Sequence, residues 1–153
     1  MRVDVALALV LAPPPDPARD VVVLDVLRAT STIASALASG ARGVEPAGTL
    51  EQATARARAT GALLGGEREG LRPEGFDLGN SPCEYDARCA DRELVLSTTN
   101  GTQAVLAARG SRRILAGSLL NVEATARALI AGGAQEVLLL CSGSRGQGPS
   151  PSF

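Results

Sequence analysis

The run VVVL at residues 21–24 is the feature that most constrains how this chain can fold. It joins three consecutive valines to a leucine, and no polar residue marks a side that faces solvent. Such β-branched runs are typical of a strand that is buried on both faces, as strands of parallel sheets are. The sequence therefore predicts a layered α/β domain in which this strand lies at the centre.

Polar and charged residues follow this strand directly. Asp25 and Arg28 come first, and the junction continues with a run of hydroxyl residues: Thr30, Ser31 and Thr32. A charged pair is costly to bury without partners, whereas hydroxyl residues are common helix N-caps. The pattern predicts a helix over residues 30–39 that Gly40 ends. Asp25 and Arg28 form either a structural ion pair or part of a ligand site.

Short apolar runs alternate with helical segments along the rest of the chain. Further strands are predicted at residues 3–11, 43–45, 62–64, 93–96, 113–116 and 136–140. Helices are predicted at residues 49–60, 103–109 and 122–131, and another is expected to start at Ser81, with Pro82 at its first position. This order predicts the α/β class, with three α/β/α layers around a largely parallel or mixed sheet.

The domain boundaries follow from composition. Residues 1–146 are expected to form the α/β domain, which the family resemblance given below implies to be phosphatase-like, with one full lobe and part of a second. The last seven residues, 147–153, are rich in Pro, Ser and Gly and are expected to be a disordered tail.

Composition excludes several classes of function. All fifteen basic residues are arginine, and the absence of His and Lys rules out histidine bases, Schiff-base lysines and a P-loop lysine. A net charge of −1 with 2% aromatic residues argues against nucleic-acid binding. No apolar run is long enough to span a membrane, and three cysteines without framework spacing fit a reduced, cytoplasmic protein.

The residues suited to chemistry collect where predicted strands end, which is where open parallel sheets bind ligands. Anion-binding groups there would be arginines and free N–H groups at helix starts. Hard oxygen ligands suited to Mg²⁺ occur at the same junctions. Together they predict a phosphate ester as the ligand. The arginines are Arg28, Arg68 and Arg145, and the carboxylates are Asp25, Glu67, Glu69 and Asp77.

Other readings of single motifs stay open, and some mechanisms are excluded. The hydroxyls can be helix caps, TTNGT at residues 98–102 can be a turn, and GGEREG at residues 65–70 can be a solvated loop. A cysteine phosphatase needs an arginine six residues after its cysteine, but Gln147 follows Cys141 at that distance. Asp25 lacks the second aspartate two residues on that the DxD phosphatases require.

Six motifs in order resemble the 2-phosphosulfolactate phosphatase family, over about residues 21–146. The resemblance implies a Mg²⁺-dependent hydrolase that converts 2-phospho-3-sulfolactate and water to 3-sulfolactate and phosphate, a step of coenzyme M biosynthesis. It also implies an α/β fold of two similar lobes with the site between strand ends. The motifs are LDVLRATSTI (24–33), GGEREG (65–70), FDLGNSP (76–82), STTNGT (97–102), GSLLN (117–121) and CSGSRG (141–146).

Carried over motif by motif, the resemblance implies a set of site residues. The catalytic residues would be Asp25, Arg28, Glu67 and Arg68, and the Mg²⁺ ligands Asp25, Glu67 and Asp77. A carboxylate-activated water and a carboxylate nucleophile both remain open. Substrate would be bound by Thr30, Ser31, Thr32, Asn80, Ser81, Asn100, Gly101, Thr102 and Arg145.

Two alternatives are kept beside this hypothesis. Family chains continue beyond the last motif, whereas this sequence ends at Phe153, so one alternative is a truncated, inactive anion-binding remnant. The other is a phosphatase for a different small phosphorylated acid. In each case the expected partner is a small anion, without nucleic acid or membrane, and homo-oligomerisation is left open.

Overall fold

A computed structural model describes residues 1–143 and shows seven strands and four α-helices that alternate along the chain. The strands are β1 (Arg2–Ala6), β2 (Asp20–Leu24), β3 (Gly43–Pro46), β4 (Leu63–Gly66), β5 (Glu93–Ser97), β6 (Arg113–Gly117) and β7 (Glu136–Cys141). The helices are α1 (Ala29–Ala38), α2 (Leu50–Thr60), α3 (Gly101–Ala107) and α4 (Val122–Ala131). No helix within this part of the chain has the length and apolar character needed to cross a membrane.

The strands pair in parallel and form two sheets. The first has the order β1-β7-β2-β6 and the second the order β3-β5-β4. In the first sheet Val22 lies between Leu115 and Leu139, so β2 is a central strand. The α/β class with parallel strands is confirmed, but the strands divide between two sheets where the sequence predicted one.

β2 is buried on both faces, as its valines predicted. Val21 and Val23 pack in a cluster with Ala104 and Ala108, from α3 and its C-cap. Val22 points to the opposite face and packs in a cluster with Leu129 of α4. Helices therefore cover both sides of the first sheet, which gives the predicted three layers.

The second sheet is layered in the same way. Leu94 and Leu96 of β5 share a cluster with Ala36 of α1. Val95 between them belongs to the other face and clusters with Ala53 of α2. Because period-2 alternation sends neighbouring residues to opposite faces, one short strand packs against two helices.

A buried ionic cluster closes the amino end of β2. The Asp20 carboxylate is fully buried, with Oδ2 2.9 Å from Arg112 Nη1 and 2.7 Å from Arg113 Nη2. Arg112 also donates to Gly132 O, and Arg113 to Ala128 O, at the end of α4. A hydrogen bond from Arg113 is the main cause that lowers the pKa of Asp20, against the effect of burial. The cluster ties β2, β6 and α4 together.

Several local predictions are confirmed and two are wrong. Thr49 caps α2 by accepting from Gln52 N at 3.2 Å, and Gly61 ends it with a left-handed φ of 71°. The strand predicted at residues 3–11 ends at Ala6, and Leu9–Leu11 is a 3-10 turn. The helix predicted after Ser81 is a single 3-10 turn over Pro82–Glu84, without a side-chain cap. The tail predicted at residues 147–153 lies outside the described residues.

Candidate active site

The carboxyl ends of β2, β4 and β5 meet around a cavity of about 250 Å³. Its walls are formed by the β2–α1 junction, by the loop after β4, and by the junction between β5 and α3. Asn80, further along the chain from β4, completes the lining. The site lies between the two sheets, where strand ends from both come together. Its lining residues are Asp25, Leu27, Arg28, Glu67, Glu69, Gly70, Asn80, Thr99 and Asn100.

Asp25 is the first residue after β2, and the start of α1 holds it. Its Oδ1 accepts from Ala29 N at 3.4 Å, and its own N–H donates to Thr30 Oγ1 at 3.1 Å. Burial raises the pKa of Asp25, and the nearby charge of Glu67 raises it further, whereas hydrogen bonds from Ala29 and Ser142 oppose the rise. The result is a carboxylate more basic than an ordinary aspartate.

Gly101 allows Asp25 to lie against α3. A Cβ at position 101 would lie 2.6 Å from Asp25 Oδ2 and closer still to Ala29 Cβ. The φ of Gly101 is not in the left-handed region, so the backbone does not demand glycine there. The close approach of the carboxylate is therefore what requires it.

Glu67 is anchored by backbone N–H groups on both oxygens. Oε1 accepts from Thr99 N at 2.7 Å, and Oε2 accepts from Gly70 N at 2.8 Å. Burial alone would raise the pKa of Glu67, but these hydrogen bonds, together with the charge of Arg68, outweigh it and the pKa is lowered. Two carboxylates in one cavity therefore have pKa values shifted in opposite directions.

Arg68 points into the protein and does not line the cavity. Its Nη1 donates to Glu67 O at 2.6 Å and to Ser97 O at 3.2 Å, and its Nη2 donates to Ser97 Oγ at 2.9 Å. The guanidinium thus fastens the loop after β4 to the end of β5. In this arrangement it supports Glu67 and is not directed at an anion in the cavity.

Arg28 is the arginine among the described lining residues. Its Nη2 donates to Gly70 O at 3.3 Å, which joins the β2–α1 junction to the loop after β4. Three carboxylates share the lining with it: Asp25, Glu67 and Glu69. The described wall is therefore more acidic than basic.

The hydroxyl residues that the sequence predicted as substrate ligands bond to the chain itself. Ser31 Oγ donates to Val26 O at 2.7 Å, and Thr32 Oγ1 donates to Asn80 O at 3.1 Å. Thr102 and Thr98 exchange hydrogen bonds at the start of α3. Like Thr30, these side chains are buried, so they brace the loops around the cavity.

The structure brings together some predicted site residues and leaves others apart. Asp25, Arg28, Glu67, Asn80 and Asn100 line the cavity, and Gly101 lies beside it. Asp77 lies on another depression, where its Oδ2 accepts from Leu64 N at 2.8 Å. Ser81 is not among the lining residues. Arg145 lies outside the described residues.

The sequence reasoning missed Thr99 and Ser142 as site residues, and it named Glu69 only among the carboxylates suited to Mg²⁺. Glu69 and Thr99 line the cavity, and Ser142 lies close enough to Asp25 to lower its pKa. Each lies within a quoted motif: GGEREG, STTNGT or CSGSRG. Motif membership was the available signal, but a linear sequence does not show which residue of a loop points inward.

The donor set fits a divalent cation held partly by substrate. No cluster of three or more Asp, Glu, Cys or His side chains suited to a metal occurs within residues 1–143. Mg²⁺, however, is commonly held by one or two carboxylates, with waters and substrate phosphate oxygens completing its shell. Asp25 and Glu67 supply such a pair in one cavity, whereas Asp77 lies away from it.

Comparison with known proteins agrees with the motif order. A sequence model of the family described as 2-phosphosulpholactate phosphatase matches residues 12–149. Proteins named probable 2-phosphosulfolactate phosphatase from Thermotoga petrophila and Thermotoga maritima are 46% and 45% identical over 141 residues, which cover 91% of this chain and 60% of each relative. One so named from Thermus thermophilus is 44% identical over 129 residues, or 83% of this chain and 54% of the relative. The chain thus spans about 60% of the length of the Thermotoga relatives. By these matches, the chain belongs to the 2-phosphosulfolactate phosphatase family.

Proposed function

We propose that this protein is a phosphoric monoester hydrolase that converts 2-phospho-3-sulfolactate to 3-sulfolactate and phosphate, as in coenzyme M biosynthesis. The observation that carries the proposal is the pair Asp25 and Glu67, which share one cavity and have oppositely shifted pKa values. Titratable pairs whose environments separate their pKa values are characteristic of acid–base sites. The family names of the relatives support the choice of substrate.

Asp25 is the group suited to act as the base. It is the more basic of the two carboxylates, and Gly101 and Ala29 hold it at the cavity wall. In the proposed reaction a water oxygen bonds to phosphorus while the ester P–O bond breaks. One water proton passes to Asp25 and then to the leaving alkoxide, which gives the hydroxy acid and inorganic phosphate.

Glu67 and Arg28 have different parts in this proposal. Glu67 stays ionised because two backbone N–H groups hold its oxygens. Arg28 lines the cavity and is the described guanidinium able to meet a phosphate, sulfonate or carboxylate oxygen there. Arg68 then acts through Glu67, as a positioning residue.

The charge of the wall favours a divalent cation, and we include Mg²⁺ in the proposal. A phosphorylated sulfonic acid is a multiple anion, and three carboxylates with one arginine in the described lining would repel it. Glu67 would hold the cation directly and Asp25 would hold it through water, which leaves the Asp25 carboxylate for the proton. When bound, Mg²⁺ would supply positive charge beside the transferred phosphoryl group.

A phosphate-release assay tests this proposal. We expect release from 2-phosphosulfolactate with Mg²⁺, loss of release with EDTA, and recovery when Mg²⁺ is added back. Asp25→Asn should reduce kcat/KM by at least about 100-fold. Asp4→Asn is the matched control, because Asp4 forms only an exposed ion pair with Arg2 on β1. Folded wild-type protein that releases no phosphate with any divalent cation would be the inactive remnant, and the proposal would fail.

We also propose that the protein works in a reducing compartment, the cytoplasm. The three cysteines, Cys83, Cys89 and Cys141, are all free thiols in the structure. Burial raises the pKa of Cys89 and of Cys141, which keeps those thiols protonated and unreactive. Thiol counting before and after denaturation under non-reducing conditions tests this, since a disulfide in freshly isolated protein would contradict it.

A further inference from the structure

The outer edge of β1 pairs with no other strand in the described part of the chain. β1 comes first in the order β1-β7-β2-β6, so only its inner edge is hydrogen-bonded within residues 1–143. Exposed apolar side chains are concentrated in and just after this strand. Unpaired strand edges with exposed apolar residues are templates for pairing with another chain. Within residues 1–143, six of the thirteen exposed large apolar residues fall in the first eleven positions: Met1, Val3, Val5, Leu7, Val10 and Leu11.

The backbone groups of alternate residues in β1 point toward this free edge. Arg2 N donates to Gln135 O at 2.7 Å, and Asp4 is in the same phase of the pairing with β7. Because the direction of the backbone groups alternates along a strand, the N–H and C=O groups of Val3 and Val5 point outward. An incoming strand would therefore bond to the valines. The side chains of Arg2 and Asp4 would then lie at non-hydrogen-bonded positions, where opposed residues come closest.

The two charged residues of β1 are an acid and a base that lie two positions apart. Arg2 Nη2 is 3.0 Å from Asp4 Oδ2, and both side chains remain accessible to solvent. An edge strand is commonly protected by a charge that pairing would leave without a partner. Here an antiparallel strand of the same sequence can oppose each charge with its opposite. The charges therefore select a particular partner strand and do not simply block the edge.

Charge complementarity also selects the register. Two identical edges related by a twofold axis pair antiparallel, and the outward-pointing groups of both strands must meet. With the axis at Val3, Arg2 faces the partner's Asp4 and Asp4 faces the partner's Arg2. With the axis at Arg2 or at Asp4, two like charges face each other, which is destabilising. With the axis at Val5, Asp4 faces the partner's Ala6 and no opposite charges are opposed.

We propose that the outer edge of β1 binds a second copy of this chain, antiparallel and about a twofold axis at Val3. Val3 then exchanges two hydrogen bonds with the partner's Val3, and Val5 pairs with the partner's Met1. Arg2 and Asp4 keep their own ion pair and each gains an opposite charge across the axis. The first sheets of the two copies thereby become one continuous sheet. The dimer is independent of the function proposed above, because no residue of β1 lines the cavity.

Charge reversal followed by sedimentation velocity tests the register. The wild type should show a monomer–dimer equilibrium that shifts with concentration. Arg2→Asp and Asp4→Arg each place like charges opposite one another at both symmetry-related positions, so each should raise the dimer Kd by about 10-fold or more. A mixture of these two variants brings opposite charges back to both positions and should form a heterodimer. Arg127→Asp is the matched control, because it makes the same charge change in an exposed ion pair with Glu123 on α4 and should leave the Kd within about twofold.

A backbone variant tests the hydrogen bonds separately from the charges. Val3→Pro removes an N–H group that points away from β7, and proline is tolerated on an edge strand when its position faces outward. The protein should stay folded by circular dichroism and sediment as a monomer. Wild type that stays monomeric at every concentration would overturn the inference and leave the edge to a strand of another protein. A dimer that Arg2→Asp and Asp4→Arg do not weaken would place the interface elsewhere, and a mixture that forms no heterodimer would refute the register.

Discussion

Gly101→Ala is the substitution that most directly tests the geometry around Asp25. The new Cβ would lie 2.6 Å from Asp25 Oδ2, whereas ordinary contacts begin near 3.4 Å, so the carboxylate must move by about 0.8 Å. A misplacement of about 1 Å at a reacting group can cost about 100-fold in rate. We therefore expect kcat/KM to fall by about that factor.

The same substitution should lower stability, whereas a Gly-to-Ala change in a helix with free space around it usually raises stability. Alanine is favoured over glycine by about 1 kcal/mol within a helix that has room for it. Here the Cβ also meets Ala29 Cβ, and overpacking of this kind costs about 1–3 kcal/mol. At this chain length the overpacking should lower the Tm measured by differential scanning calorimetry by about 2–12 °C.

A second-site change separates the two contacts. Ala29→Gly removes the closest atom that the new Cβ meets but leaves Asp25 Oδ2 in place. The double variant should regain stability relative to Gly101→Ala without regaining activity. Gly43→Ala is the control, because its Cβ would meet only the end of the exposed Glu93 side chain. A Gly101→Ala protein with full activity and an unchanged or higher Tm would refute the reasoning.

Three further predictions follow from the same structure. Asp20→Asn should lower the free energy of unfolding by about 2–3 kcal/mol at pH 7, which is less than the loss of a fully buried pair because the two arginines can regain water. Since the folded-state pKa of Asp20 is lowered, the Tm difference from the wild type should shrink as the pH falls below about 4. A Tm difference that does not change with pH would contradict this. Asp25→Asn should raise the Tm at pH 7, because a raised pKa means that ionisation of Asp25 opposes folding. This gain should disappear below about pH 4, and a Tm at pH 7 lower than that of the wild type would contradict the prediction. Thr49→Ala removes the acceptor of the Gln52 N–H and should lower the free energy of unfolding measured by chemical denaturation by about 1 kcal/mol, without altering phosphate release. An unchanged free energy of unfolding would contradict the assignment of Thr49 as the helix cap.

Much of the fold is readable from the sequence because the strong signals are local. Three valines fixed the burial of β2, and Thr49 with Gly61 fixed both ends of α2. The division into two sheets was not readable, since it depends on which strands pair across the chain. The helix expected to start at Ser81 is only a turn over Pro82–Glu84, and Glu84 Oε2 accepts from Gly79 N before that turn.

The candidate site was partly readable for a related reason. The rule that ligands bind at the carboxyl ends of parallel strands predicted that Asp25, Arg28 and Glu67 lie together, and all three line one cavity. The direction in which a side chain points depends on the tertiary structure, so the sequence does not show that Arg68 turns back toward Ser97. The hydroxyls after β2 illustrate the same limit, because a helix-start threonine satisfies the local backbone as well as it would bind an oxyanion.

The polar groups at the cavity differ in whether the fold already uses their hydrogen-bonding capacity. Both oxygens of Glu67 and the donors of Arg68 bind within the protein, so their loss should reduce stability and activity together. Asp25, by contrast, is held at the cavity wall against the cost of its own burial. Its substitution removes the group proposed as the base and also removes a charge whose burial opposes folding. Substitution of Asp25 should therefore remove activity while stability is kept or increased, the trade-off expected where a fold maintains a polar group for a ligand.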